Sequence, residues 1–141
     1  MKRQIGKFER LYPNPVILVS CSNNDMDNII TLAWTGTVCS EPPMISISIR
    51  PGRQSHKIIK ETKDFVINIP TSSQKDICNY CGTYSGKDID KFDELKLTKT
   101  KANIIKSVMI KECPINIECK VKDIISLGSH DVFIGEVVCV N

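Results

Sequence analysis

A chain of 141 residues, 41% hydrophobic and 25% charged, has the material for one globular core, and its 21 Ile and 10 Val against 2 Ala and 6 Leu favour pleated sheet over a helical bundle or coiled coil. The net charge of +3 comes from 19 basic and 16 acidic residues mixed along the chain, without the concentrated basic stripe of a nucleic-acid binder. No stretch nears the roughly 20 apolar residues that span a bilayer, and MKRQIGKFERLY has no apolar run behind its basic residues for a signal peptide, so the expectation is a cytoplasmic protein bound to neither nucleic acid nor membrane.

Residues 15–21 (PVILVSC) and 28–35 (NIITLAWT) read as a strand pair joined by the polar SNNDMD loop. After SEPP comes the clearest period-two segment, residues 44–50 (MISISIR), with Ile45, Ile47 and Ile49 on one face and Ser46, Ser48 and Arg50 on the other. A PGRQ turn then leads into a short helix, SHKIIKET, with Ser55 as N-cap and Ile58 and Ile59 on its buried side. Residues 64–70 (DFVINIP) form another strand, and residues 71–81 (TSSQKDICNYC) a second short helix. GTYSGKDIDKFDEL is a Gly-punctuated loop ending in one helical turn. In PINIECKVKDI the residues Ile115, Ile117, Cys119 and Val121 share a face, and DVFIGEVVCVN supplies a last strand after the turn signal LGSHD. Six or seven short strands with two or three small helices, and no regular strand–helix alternation, fit a single domain built on an antiparallel barrel.

Three constellations carry possible chemistry. Ser48, Arg50, Arg53 and the helix start at Ser55 suit an anionic phosphate, although a solvated strand edge before an ordinary capped helix uses the same residues. Cys78 and Cys81 share a helix face, which suits buried packing thiols ahead of a zinc or thiol-redox site; Cys113 and Cys119 lack the tight spacing of a second zinc knuckle. Seven cysteines are an odd number in a chain large enough to fold without disulfides, and reduced thiols are expected. His56 falls in the first turn of a helix and His130 at a strand mouth, neither within a hydrolytic triad pattern. Trp34, the only tryptophan, sits near a strand end, where it fills the core or shields a planar ligand.

Three motifs in order, NIITLAWTGTVCSEPPMISISIRPGRQSHKIIKETKDFVINIP, CGTYSGKDIDKFDE and GSHDVFIGEVVCV, cover most of the chain, which resembles the flavin reductase-like family and within it the flavoredoxin group. The resemblance implies an antiparallel Greek-key split β-barrel, the FMN-binding split barrel, assembled as a homodimer with noncovalent FMN near the subunit interface. It implies that Asn28, Thr31, Ala33 and Trp34 line the ring and ribityl side, that Ser48, Arg50, Arg53, Gln54 and Ser55 surround the phosphate, and that Lys91 and His130 complete the pocket as groups tuning the flavin. The flavin then carries the redox chemistry, with no protein nucleophile, no metal, and electrons from NADH, NADPH or a redox partner protein. The alternatives are a non-catalytic flavin-binding module and a zinc or thiol-redox protein using Cys78 and Cys81. Family members commonly continue beyond the GEV motif, so the resemblance also implies a chain short at its C-terminal end.

Overall fold

Two apolar runs separated by a polar turn fold back on one another as β1 (Ile17–Ser22) and β2 (Asp27–Leu32) in a computed structural model that describes residues 1–141. Asn23 sets the turn, its Oδ1 accepting from the backbone N–H groups of Asp25 and Met26 at 2.9 and 2.8 Å. The second run stops sooner than its composition suggests. NIITLAWT reads as one strand, yet β2 ends at Leu32 and, after Ala33 and Trp34, the chain begins β3 (Thr35–Ser40). β3 turns back into β4 (Pro43–Ile49) with a register shift between Thr37 and Cys39.

The remaining elements are α1 (Gln54–Thr62), β5 (Asp64–Ile69), a 3₁₀ turn at Ser72–Gln74, α2 (Lys75–Thr83), α3 (Lys91–Glu94), the short pair β6 (Lys99–Thr100) and β7 (Met109–Ile110), β8 (Ile115–Ser126) and β9 (Asp131–Val140). Seven strands make one antiparallel sheet in the order β2-β1-β5-β8-β9-β4-β3. β2 and β3 are therefore successive in the chain and at opposite edges of the sheet. Three Cα–Cα steps from Leu32 to Thr35 reach at most about 11 Å, so the sheet must roll until its two edges approach. They approach without pairing, and the result is an antiparallel barrel split along the β2–β3 seam.

Strand alternation decides what fills the barrel. Ile30 and Leu32 of β2, Ile47 and Ile49 of β4, Phe65 and Ile67 of β5, Cys119 of β8 and Phe133 of β9 meet inside, joined by Ile58 and Ile59 of α1. The expected buried faces of MISISIR and of the first helix are thus correct. The opposite face of β1 and β2 is also covered: Leu18 and Ile29 pack with Cys78, Cys81, Phe92 and Cys113 beneath α2 and α3.

β8 corrects a simple in-and-out reading. Ile117 and Cys119 face the core, but Ile115 is exposed, while Asn116 and Glu118 on the other face are buried. The 101–108 loop covers that face, and Glu118 accepts from the N–H groups of Asn103, Ile104 and Ile105 at 3.0, 2.7 and 3.2 Å. Three charge-assisted bonds offset the cost of enclosing the carboxylate and hold it below its ordinary pKa. No helix of the chain is long and apolar enough to cross a membrane.

Candidate functional site

The seam places Ala33 and Trp34 between the two sheet edges, and their neighbours form a cavity of about 440 Å³. Ala33, Trp34, Ser46 and Ser48 form one wall with the start of β3, while Arg10 and Tyr12 from the N-terminal segment form the other. Ser48 reaches this wall because Ile47 and Ile49 turn inward, as the period-two pattern requires. The Ser48 N–H donates to the Trp34 carbonyl at 3.1 Å, fixing the seam residue to β4. Trp34 remains 42% exposed.

His130 closes this end. Its ring lies 4.6 Å from that of Trp34 at a 44° tilt, and its Nδ1 is 2.8 Å from Ser129 Oγ. Partial burial, and then the charge of Arg50, hold the imidazole below its ordinary pKa, so it is neutral over a wider range than a free histidine. Arg50 lies just past β4, exposed, and its guanidinium makes no hydrogen bond or ion pair within the chain.

The helix start departs from expectation in one respect. Arg53, not Ser55, is the N-cap of α1, and no side chain caps the helix. The Pro51–Gly52 turn closes early, with the Arg53 N–H donating to the Arg50 carbonyl at 3.1 Å, so Ser55 falls within the first turn and points inward. There its Oγ accepts from Asn28 Nδ2 at 2.9 Å. The uncapped N–H groups at this nine-residue helix are left facing the Arg50 turn.

Other sequence-selected residues go elsewhere. Thr31 Oγ1 donates to the Cys78 carbonyl, on the face of β2 under α2. Gln54 Nε2 reaches Met26 Sδ at 3.1 Å, toward the β1–β2 turn. Arg53 donates to the Cys81 and Tyr84 carbonyls at 3.5 and 3.3 Å. Lys91 is 1% exposed, its Nζ donating to the Ile29 and Cys81 carbonyls at 2.6 and 2.8 Å. Burial pulls its pKa down to about 8. The structure therefore sets Ala33, Trp34 and Ser48 on the cavity, with His130 against Trp34 and Arg50 two residues past Ser48, sets Asn28, Arg53, Gln54 and Ser55 at the start of α1, and places Thr31 and Lys91 beneath α2.

Cys78, Cys81 and Cys113 belong to the apolar layer beneath α2, and all seven cysteines are free. Burial raises the Cys81 thiol to about 11 and the Cys113 thiol to about 12, the opposite of what thiolate chemistry needs. No group of three or more His, Cys, Asp or Glu side chains is gathered closely enough to hold a metal ion.

One pair escaped the sequence reading. His56, in the first turn of α1, places its Nε2 2.7 Å from Asp131 Oδ2 at the start of β9, with 8% and 14% of the two side chains exposed. The residues lie 75 apart, so no spacing signal links them; the only hint was that each directly follows a residue already selected, Ser55 and His130.

The donor set suits a flavin mononucleotide. An uncapped helix start and an unpaired guanidinium answer a dianionic phosphate, and a cavity flanked by an indole answers a planar ring. Asn28 Oδ1 is moreover the one buried side-chain oxygen or nitrogen without a hydrogen-bond partner. It lies next to Ser55, beneath Gly86, where a Cβ would overlap the Asn28 amide. Gly86 therefore covers this oxygen.

A barrel split at an aromatic seam, with an anion-attracting turn beside it, defines a class of fold suited to phosphate-bearing planar cofactors. Residues 8–141 match the model of the flavin reductase like domain, and the chain belongs to that family. Flavoredoxin of Desulfovibrio vulgaris (Miyazaki F) superposes with a TM-score of 0.92 at 35% identity, over 100% of this chain and 76% of that one. Flavoredoxin from Methanosarcina acetivorans gives 0.93 at 28% identity, over 100% and 75%. An uncharacterized protein of Archaeoglobus fulgidus is 33% identical over 135 residues, 95% of this chain and 75% of that protein.

Proposed function

We propose that residues 1–141 form a single flavin-binding domain that holds FMN noncovalently and works as an oxidoreductase of the flavin reductase or flavoredoxin type. The observation that carries this reading is the seam: Trp34 and Ser48 line its cavity, and two residues past Ser48 the exposed Arg50 opens the turn into the uncapped start of α1. Arg50 and the N–H groups of α1 would hold the phosphate and Trp34 with His130 the edge of the ring, with the buried Asn28–Ser55 pair bracing the base of α1. When bound, the flavin supplies hydride or single-electron transfer.

The chain's own contribution is positioning and field. Arg50 places a fixed positive charge at the anionic end. His130, held below its ordinary pKa by burial and by Arg50, presents a mostly neutral imidazole that becomes a proton donor only as pH falls. Trp34 and Tyr12 narrow water's access to the cavity. Lys91 acts from behind β2, where its ammonium sets the Ile29 and Cys81 carbonyls rather than touching ligand.

The electron donor in this reading is NADH, NADPH or a redox partner protein, and the working unit is a homodimer. Leu11, Tyr12 and Val38 stand exposed at the outer wall of the cavity, where a second copy would cover them. Seven free cysteines suit the reducing cytoplasm.

The test is reconstitution. Purified protein mixed with FMN should yield a flavin absorption spectrum that remains with the protein on gel filtration, at the elution volume of a dimer. Anaerobic addition of NADH or NADPH should then bleach it. A protein that retains no flavin overturns the reading, and retained flavin reduced by neither nucleotide moves the donor to a partner protein.

A further inference from the structure

The His56–Asp131 pair links side chains from two parts of the site, the first turn of α1 and the start of β9. Asp131 follows His130, pairs with Ile49 in β4 and with Ser126 in β8, and receives the imidazole of α1. Ile49 lies between Ser48 and Arg50, and His56 lies directly after Ser55. One contact therefore ties the end of β4, the first turn of α1 and the turn that stacks His130 on Trp34. Barrel closure does not need it, because the ladders hold the strands and Ile58 and Ile59 hold the helix. Phe133 steadies the imidazole edge-on, with ring centroids 5.1 Å apart.

We propose that His56 and Asp131 are positioning residues that lock the start of α1 to the His130 turn, so that the Arg50 turn leading into α1 and the Trp34–His130 contact keep a fixed separation. This rests on the flavin-binding reading above. The hydrogen bond from His56 keeps the Asp131 carboxyl below its ordinary pKa, so the contact is charge-assisted and stronger than a neutral one. A ligand that grips both ends then binds a preformed gap instead of ordering two segments as it enters.

Trp34 is the chain's only tryptophan, so indole emission reports the Trp34–His130 contact without any cofactor. A protonated imidazole quenches indole, and the pH dependence of the emission follows the stacked His130, whose facing charge is Arg50. His56→Leu and Asp131→Leu are expected to diminish that pH-dependent change and to weaken FMN binding roughly tenfold. His56→Gln keeps an N–H directed at Asp131 and should stay within about twofold of the unsubstituted protein in affinity, with the emission change restored. Leu variants that behave like the unsubstituted protein overturn the proposal, as does a Gln variant no better than Leu. If the Leu variants fail to fold, Asp131→Asn decides: it keeps an acceptor without the charge, should bind FMN several-fold more weakly, and unchanged affinity counts against the pair. If the unsubstituted protein binds no FMN at all, the flavin reading fails, while the Trp34 emission still tests the lock.

Discussion

Under α2 and α3 the polar side chains of the candidate site are already engaged by the protein: Lys91 holds the Ile29 and Cys81 carbonyls, Arg53 shares that of Cys81 and adds that of Tyr84, and Thr31 holds a fourth, that of Cys78 on the helix above it. At the mouth of the seam Arg50 has no partner, α1 has no side-chain cap, and Trp34 stands partly in solvent. Residues of one motif set thus divide into those engaged within the chain and those left open to solvent. Hydrogen-bond accounting separates the two groups where residue type does not, since Arg50 and Arg53 are chemically alike and only three positions apart.

The comparison breaks most visibly in alkali, because the covered regions hold thiols and the mouth does not. Burial raises Cys21, Cys113 and Cys119 to about 12 and Cys81 to about 11, from an ordinary value of 9.0. A raised pKa contributes stability below the unfolded value and loses it as pH rises toward the folded one, so unfolding free energy should fall from pH 9 upward, by on the order of 1.4 kcal/mol per thiol per pH unit. Urea titrations at pH 8, 9 and 10 measure this. Lys91 runs the other way: its lowered value of about 8, against 10.5, makes its burial a cost that lifts between those limits. Lys91→Met should accordingly lose stability relative to the unsubstituted protein as pH climbs from 8 to 10.

Next in size, Lys91→Ala should cost about 3 kcal/mol by urea unfolding, combining an unfilled site with carbonyls that lose their donor. The flavin affinity of the molecules that remain folded should hardly move. Arg50→Ala should do the reverse, weakening FMN by about 1.5 to 3 kcal/mol in a fluorescence titration with the thermal midpoint unchanged. Unchanged affinity would remove Arg50 from the site. Trp34→Ala should have the smallest effect on folding, about 1 kcal/mol for a half-exposed aromatic, while changing the fluorescence of bound flavin. A wholly unfolded Trp34→Ala protein would return the indole to the core.

Much of the barrel was legible because β-branched runs broken by polar turns carry strand information locally, as MISISIR and DFVINIP do. The division of NIITLAWT was not, since its residues suit one strand and only the rolling of a seven-stranded sheet interrupts it. The place of Ser48 on the cavity followed from strand parity, whereas the inward turn of Ser55 depends on where the Pro51–Gly52 turn closes. Lys91 reads as a surface residue by type, since lysine is seldom fully enclosed, and its burial requires two carbonyls brought from β2 and α2.

The two-residue crossing at Ala33 and Trp34 also bears on how the chain reaches this state. β1–β2 and β3–β4 are neighbouring hairpins along the chain, each able to form from local contacts, yet they end at opposite margins of the sheet. What joins them comes from far along the chain, with Ile49 meeting Asp131 and Phe65 meeting Cys119. Pairings of such long sequence separation make folding slow. Two local hairpins are thus left to be joined into one sheet by the C-terminal strands.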